Sequence, residues 1–151
     1  MNILLPTDGS EFSIEAARAC AEQAAKNDDA VVRVISVIET LVPDEPIETA
    51  SEYYEIVAEA SREAAEEHVA LARRIILDDP RNAELSVETK TLSGKPDRMI
   101  INECEEWPAD LVVMGSHGYG FWARTLLGSV SDSVVHHAPC SVLIVRKPKQ
   151  P

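Results

Sequence analysis

Apolar positions along this chain alternate between two patterns: short continuous runs, and longer stretches in which they recur at three- and four-residue spacing. Asn2-Ile-Leu-Leu-Pro6 reads as a short buried strand, ended by the turn-forming Pro6-Thr7-Asp8-Gly9-Ser10. From Ser10 to Lys26 a helix is predicted, with Ala16, Ala19, Cys20 and Ala24 forming a small-residue face that packs close to a sheet. Asn27-Asp28-Asp29 stops it. Ala30 to Ile38 is β-branched and mostly apolar, as expected for a central strand covered on both faces. Glu39 to Ser51 carries two prolines and no period, and reads as a loop that is either mobile or lies over a site.

Glu52 to Asp79 is predicted as one long helix, with Tyr53, Ile56, Val57, Ala60, Ala64, Leu71, Ala72, Ile75 and Ile76 supplying most of an apolar stripe. Its Glu-rich face reads as a solvated surface, and Asp79-Pro80 ends it. Leu85 to Leu92 alternates with period two, the pattern of a strand near a sheet edge with one wet face. Gly94-Lys95-Pro96-Asp97 starts the next helix, with Pro96 in its first turn; it runs towards Glu105 and closes at Trp107-Pro108. Leu111 to Met114 is a fourth strand, 115–128 a loop, Ser129 to His137 a short helix and Ser141 to Arg146 a fifth strand. Strict alternation of strand and helix predicts an open α/β fold: a parallel sheet, helices on both faces and right-handed crossovers. In such sheets a ligand lies beyond the carboxyl ends of the strands, where the strand order reverses. The turn after the first strand and the loop after the fourth both belong there.

The chain has 151 residues, fits a single domain over 1–147 with a short tail at 148–151, and shows no internal repeat or linker. With 45% hydrophobic but only 5% aromatic residues, its core is expected to be Val, Ile, Leu and Ala. Cys20, Cys104 and Cys140 are odd in number and scattered, which suits a reduced cytoplasm better than a disulfide framework. The start of the chain lacks a basic region ahead of its apolar residues, and no apolar run approaches the ~20 residues needed to span a bilayer. A cytoplasmic protein without a membrane partner is expected. The net charge of −12 argues against nucleic acid as a partner. Yet residues 1–80 hold 18 acidic and 6 basic side chains, whereas 81–151 hold 8 of each, and within 111–131 the one charged side chain is Arg124. An anionic ligand is tolerated there.

Four of the six glycines lie between Gly115 and Gly128, in Gly115-Ser-His-Gly118-Tyr-Gly-Phe-Trp-Ala-Arg-Thr-Leu-Leu-Gly128-Ser129. A glycine-rich loop between a buried strand and a helix N-terminus presents bare backbone N–H groups to phosphate. Gly115 and Gly118 are expected to supply positive φ and close approach. The competing reading is structural: the glycines turn the chain and Ser129 caps the helix, with Asp132 completing a capping-box-like pattern. No G-x4-G-K-[ST] is present and no G-x-G-x-x-G follows the first strand, which excludes a standard P-loop NTPase or dinucleotide dehydrogenase. Asp8, at the end of the first strand, either contacts a ribose or a Mg²⁺ ion on phosphates or bonds its own turn backbone. His117 either donates to a phosphate or is a solvated loop histidine. His136-His137-x-x-Cys140 lacks a fourth ligand at a recognisable spacing and reads as helix-end histidines rather than a metal site. Phe121 and Trp122 are read either as a clasp or as an exposed partner contact.

Three ordered motifs resemble the universal stress protein family: Asn2-Ile-Leu-Leu-Pro-Thr-Asp-Gly-Ser10; Ala109-Asp-Leu-Val-Val-Met-Gly-Ser-His-Gly118 with Leu127-Gly-Ser-Val130; and His137-Ala-Pro-Cys-Ser-Val-Leu-Ile-Val-Arg146. The pattern G-x2-G-x9-G-[ST] resembles that of the family's ATP-binding branch. The resemblance implies a 3-2-1-4-5 parallel sheet of Rossmann-like architecture, a homodimer pairing through strand 141–146, and ATP held at the strand ends with Mg²⁺ or Mn²⁺ on its phosphates. It places Pro6, Thr7 and Asp8 by the adenosine and Val37 and Met114 against adenine. Gly115, His117, Gly118, Gly128, Ser129, Val130 and Ser131 would surround ribose and phosphates. Gly120-Phe-Trp-Ala is bulkier than the small polar residues expected there. The function implied is a nucleotide-dependent switch or sensor in stress response with at most slow hydrolysis; the alternatives are a slow ATPase or adenine-nucleotide hydrolase, and a nucleotide-free dimeric interaction protein.

Overall fold

The computed structural model describes residues 1–39, 51–118 and 127–147. Five strands, β1 (Asn2–Pro6), β2 (Val31–Ile38), β3 (Ser86–Ser93), β4 (Leu111–Gly115) and β5 (Ser141–Val145), alternate with helices α1 (Glu11–Ala24), α2 (Ser51–Leu77), α3 (Pro96–Glu106) and α4 (Ser129–His137). The strands form one parallel sheet in the order β3-β2-β1-β4-β5. β1 lies at its centre, paired with β2 from Asn2↔Val31 to Pro6↔Ile35 and with β4 at Ile3↔Leu111 and Leu4↔Val112.

Period-two alternation divides the core into two layers. Ile3, Leu5, Val32, Val34 and Val113 face α1 and α2, where they meet Ala16, Ala17, Cys20, Ala72 and Ile76. Leu4, Ile35, Val112 and Met114 face the other way, against Ile100 and Cys104 of α3 and Val134 of α4. Of the small face predicted for α1, Ala16, Cys20 and Ala24 are buried and Ala19 partly so, and Ala17, which the spacing did not mark, is fully buried beside them. Ser10 is the helix's N-cap rather than its first residue, and its hydroxyl accepts from the Ser13 N–H at 3.3 Å.

The long helix α2 departs from its predicted stripe. Tyr53 and Ile56 are 68% and 63% exposed, and the buried positions are Ala65, Val69, Ala72 and Ile76, all in its second half. Length explains the difference: 27 residues at ~1.5 Å rise extend roughly 40 Å, while the eight residues of β2 cover roughly 26 Å. The helix overhangs the sheet. A 3-10 turn at Pro80–Asn82 follows, in which the buried Asn82 amide donates to the carbonyls of Ala21 and Ile76, both at 3.0 Å. The alternating strand at 85–92 is β3, an edge strand as its pattern implies.

One buried charge has no counterpart in the sequence reading. Glu103 of α3 is 2% exposed and accepts from Arg33 of β2 at 2.8 Å and from Lys90 of β3 at 2.7 Å. Arg33 also reaches Glu88 at 2.6 Å, and its guanidinium lies 4.4 Å from the Trp107 ring centroid. This network ties α3 to the β2–β3 side of the sheet.

Candidate functional site

A cleft of about 370 Å³ opens at the carboxyl ends of β1, β2 and β4. It lies where the chain order reverses, between β1 and β4. Pro6, Thr7 and Asp8 leave β1 along its floor, with Val37 of β2 and Met114 and Gly115 of β4 beside them. His117 and Gly118 form one rim, and Gly128, Ser129, Val130 and Ser131, at the start of α4, form another. Every residue that the sequence singled out for a ligand lines this one cavity. Five residues that it did not single out do so as well: Ser13, Ile35, Glu39, Pro96 and Ile100. Pro96 and Ile100 are one helical turn apart on α3, so the four-residue spacing was visible, but not the surface that this face of the helix covers.

The glycines supply the close approach expected of them but not the positive φ. Among the described residues, positive φ occurs at Gly9 and Gly94, not at Gly115 or Gly118. What those two positions supply is space. A Cβ on Gly115 would lie 2.8 Å from the Phe12 backbone, and a Cβ on Gly118 would lie 2.6 Å from Asp8 Oδ2. The first lets α1 press against the end of β4, and the second brings the loop backbone up to the Asp8 carboxylate.

Capping also differs from the pattern. Gly128, not Ser129, is the N-cap of α4, and no side chain caps the helix. The Asp132 N–H bonds the Gly128 carbonyl at 2.8 Å, the ordinary first turn of a helix, so the capping-box reading fails. Ser131 turns its hydroxyl inward, donating to the carbonyls of Ser116 and Gly128 at 2.9 and 3.0 Å. Ser116 anchors the loop: its N–H bonds the Val145 carbonyl at 2.9 Å, and its own carbonyl accepts from Gly128 at 2.8 Å. A serine between two flagged residues carried no signal of that role.

Asp8 uses Oδ1 to accept from the Ser10 N–H at 3.0 Å, closing the turn on itself. His117 has Nδ1 3.0 Å from Ser116 Oγ and its ring 5.3 Å from that of Phe12. Ser133 of α4 donates to Asp97 of α3 at 2.9 Å. Burial pushes the Asp97 carboxyl up, but the Ser133 hydroxyl, the Arg98 N–H and the Lys95 charge outweigh it and hold it below the usual carboxylate range. The bond fixes α4 against α3 at the mouth of the cleft.

His136 and His137 bring their Nδ1 atoms to 2.8 Å from the carbonyls of Asp132 and Ser133 on their own helix. Among the described residues no His, Cys, Asp and Glu cluster has the arrangement of a metal site. No helix among them is long and apolar enough to cross a membrane. Phe121, Trp122, Arg124, most of the 39–51 loop and the tail 148–151 lie outside the described residues.

The open parallel sheet in the order 3-2-1-4-5, with a cleft at its switch point, makes this a doubly wound α/β protein of the Rossmann-like class. The sequence model of the universal stress protein family matches residues 1–146, and the chain belongs to that family. A universal stress protein of Methanocaldococcus jannaschii is 35% identical over 148 residues, covering 98% of this chain and 83% of its own length. UspA from Lactobacillus plantarum shares the fold at a TM-score of 0.84 and 23% identity, with 97% of each chain covered. A universal stress protein in complex with cAMP superposes at a TM-score of 0.66 and 24% identity, over 96% of each chain. An Arabidopsis thaliana family protein with AMP bound does so at 0.63 and 13% identity, over 97% of this chain and 92% of that one.

Proposed function

We propose that this protein binds an adenine nucleotide in the cleft, with ATP carrying Mg²⁺ or Mn²⁺ as the ligand, and works in the cytoplasm as a nucleotide-dependent switch in the stress response. The observation that carries the reading is the meeting of the α4 N-terminus, which no side chain caps, with a loop whose backbone reaches Asp8 because Gly118 lacks a Cβ. Backbone N–H groups at a helix start favour phosphate oxygens through hydrogen bonds and the helix dipole. Ile35, Val37, Ile100 and Met114 make the other part of the cleft apolar, as a purine requires. Two solved structures of the same fold hold cAMP and AMP.

Charge makes the ligand's metal part of the reading. Among the described residues lining the cleft the carboxylates are Asp8 and Glu39, and there is no lysine or arginine. A triphosphate alone would meet like charge there, whereas a divalent ion on its phosphates removes the conflict with Asp8 and Glu39. Fast phosphoryl transfer needs a positioned water, a base or orienting group and charge stabilisation; the described cleft supplies Asp8, Glu39, His117 and hydroxyl groups but no cationic side chain to stabilise the transferring phosphoryl, so at most slow hydrolysis is assigned to it.

The test is to purify the protein without added nucleotide, denature it by heat and identify what is released by ion-exchange chromatography with mass detection. Near-stoichiometric ATP supports the switch. ADP or AMP supports a slow hydrolase instead. Absence of nucleotide, together with no thermal shift on adding Mg·ATP, would overturn the reading and leave an interaction protein.

A further inference from the structure

We propose that a second cavity, on the α2 face of the sheet, binds a small aliphatic molecule that carries a primary ammonium group. The cavity encloses about 310 Å³ at the carboxyl end of β2, at the lower end of the roughly 300–1,000 Å³ of small-molecule sites. Asp8, Val37 and Glu39 line both it and the cleft, so the two share one wall. The cleft lies on the α3 and α4 side of that wall; this cavity is closed by one face of α2, where Ser61, Ala64, Ala65 and His68 recur at three- and four-residue spacing. The inference does not depend on what the cleft holds.

A buried hydroxyl marks the cavity as a site. Ser36 follows Val32 and Val34 on the face of β2 that meets α2, at the position where an apolar residue would continue the core. It is 3% exposed, it lines the cavity, and its side chain makes no hydrogen bond to a described residue. Among the described residues no polar side-chain atom that is fully sealed lacks a partner. The Ser36 oxygen therefore keeps its remaining surface in the cavity, where an occupant completes its bonding. His68 is held beside it. Gly9 has a φ of 75°, and a Cβ there would lie 2.3 Å from the His68 ring, so the imidazole packs directly against the turn backbone. Its nitrogens make no hydrogen bond to a described residue either.

The lining selects a cation that donates hydrogen bonds. Ser61 commits its proton to the Val57 carbonyl at 2.8 Å, which leaves its oxygen to accept. Ser36 and the imidazole of His68 also accept, and Asp8 and Glu39 accept with negative charge, while no lysine or arginine is among the described residues that line the cavity. An ammonium group brings three N–H donors, a positive charge and no acceptor. A phosphate would bring the opposite charge and meet repulsion. Val37, Ile38, Ala64 and Ala65 supply the apolar surface that methylene groups bury. A bare metal ion is the poorer occupant, because Asp8, Glu39 and His68 line the cavity without converging as a ligand set.

The experiment titrates the full chain, without nucleotide, with 1,4-diaminobutane and with 1,4-butanediol as its uncharged counterpart, by isothermal titration calorimetry. The expected result is one diamine bound per chain and no binding of the diol. Ser36→Ala should weaken the diamine about tenfold or more, as the loss of a hydrogen bond to a charged group. Ala64→Phe, which fills the cavity, should abolish binding, and a melting curve for each variant checks that it is folded. Glu66→Gln and Glu67→Gln remove charge from the exposed face of α2 outside the cavity and should leave the affinity unchanged. Absence of diamine binding, equal binding of the diol, or binding that Ser36→Ala leaves intact and Glu66→Gln weakens would overturn the proposal; the last would make the diamine a counter-ion of an acidic surface.

Discussion

A side chain on Gly118 would collide with Asp8, because its Cβ would lie 2.6 Å from Oδ2. Gly118→Ala therefore tests the cleft without touching the core. Its Kd for Mg·ATP should rise about tenfold or more, equivalent to ~1.4 kcal/mol, while the midpoint of thermal unfolding stays close to that of the parent. Isothermal titration and a melting curve together read both, and unaltered affinity would count against phosphates lying at this rim. Gly115→Ala makes the contrasting case, since its Cβ would press on the Phe12 backbone and cost about 1–3 kcal/mol of stability. At this scale the spacing of Gly115, Gly118 and Gly128 was legible, but that close approach without positive φ requires two of them was not. Sequence marks where a Cβ is missing; it does not say whether φ or a neighbour requires the omission.

Between elements, the decisive contact is the one that Glu103 makes across α3, β2 and β3. Removing one partner of a fully buried ion pair costs about 3–5 kcal/mol; Lys90 is 43% exposed and water screens it, so about 2–3 kcal/mol is the expected loss for Glu103→Gln. Burial raises the Glu103 carboxyl, but the hydrogen bonds and charges of Lys90 and Arg33 outweigh it and hold the group below its ordinary value. A carboxylate depressed in the folded state contributes fully above its unfolded pKa of about 4.3 and loses that contribution as pH falls through the folded value. Urea unfolding at a series of pH values should show the parent losing stability on acidification below about pH 4.3, and Glu103→Gln should flatten that slope. An unchanged slope would place the acid sensitivity elsewhere, with Asp97 the next group to substitute. The ends of α3 were readable. That Glu103 points inward was not, because a glutamate on a helix reads as solvated until a cation is brought against it by a different crossover. The misplaced stripe of α2 has the same origin: helix length is local, and overhang depends on where the sheet ends.

For the molecule as a whole, β3 and β5 are the two edges of the sheet, and β5 carries Val142, Leu143, Ile144 and Val145 only partly buried. An apolar open edge invites a second strand. The expected outcome is a dimer in sedimentation equilibrium, with Ile144→Pro, whose N–H faces away from β4, sedimenting as a folded monomer. A dimer that survives Ile144→Pro, or a parent that is monomeric, would rule out pairing through β5. The sequence by itself determined the alternation of strand and helix, the parallel sheet that follows from it, and the glycine-marked loop at the end of β4, because periodicity and backbone freedom are properties of neighbouring residues. The tertiary structure alone decided that Pro96 and Ile100 wall the cleft and that Glu103 meets Arg33 and Lys90. Each of those contacts joins segments brought together by crossovers of the chain, and the side-chain pattern within one segment carries no record of what will be packed against it.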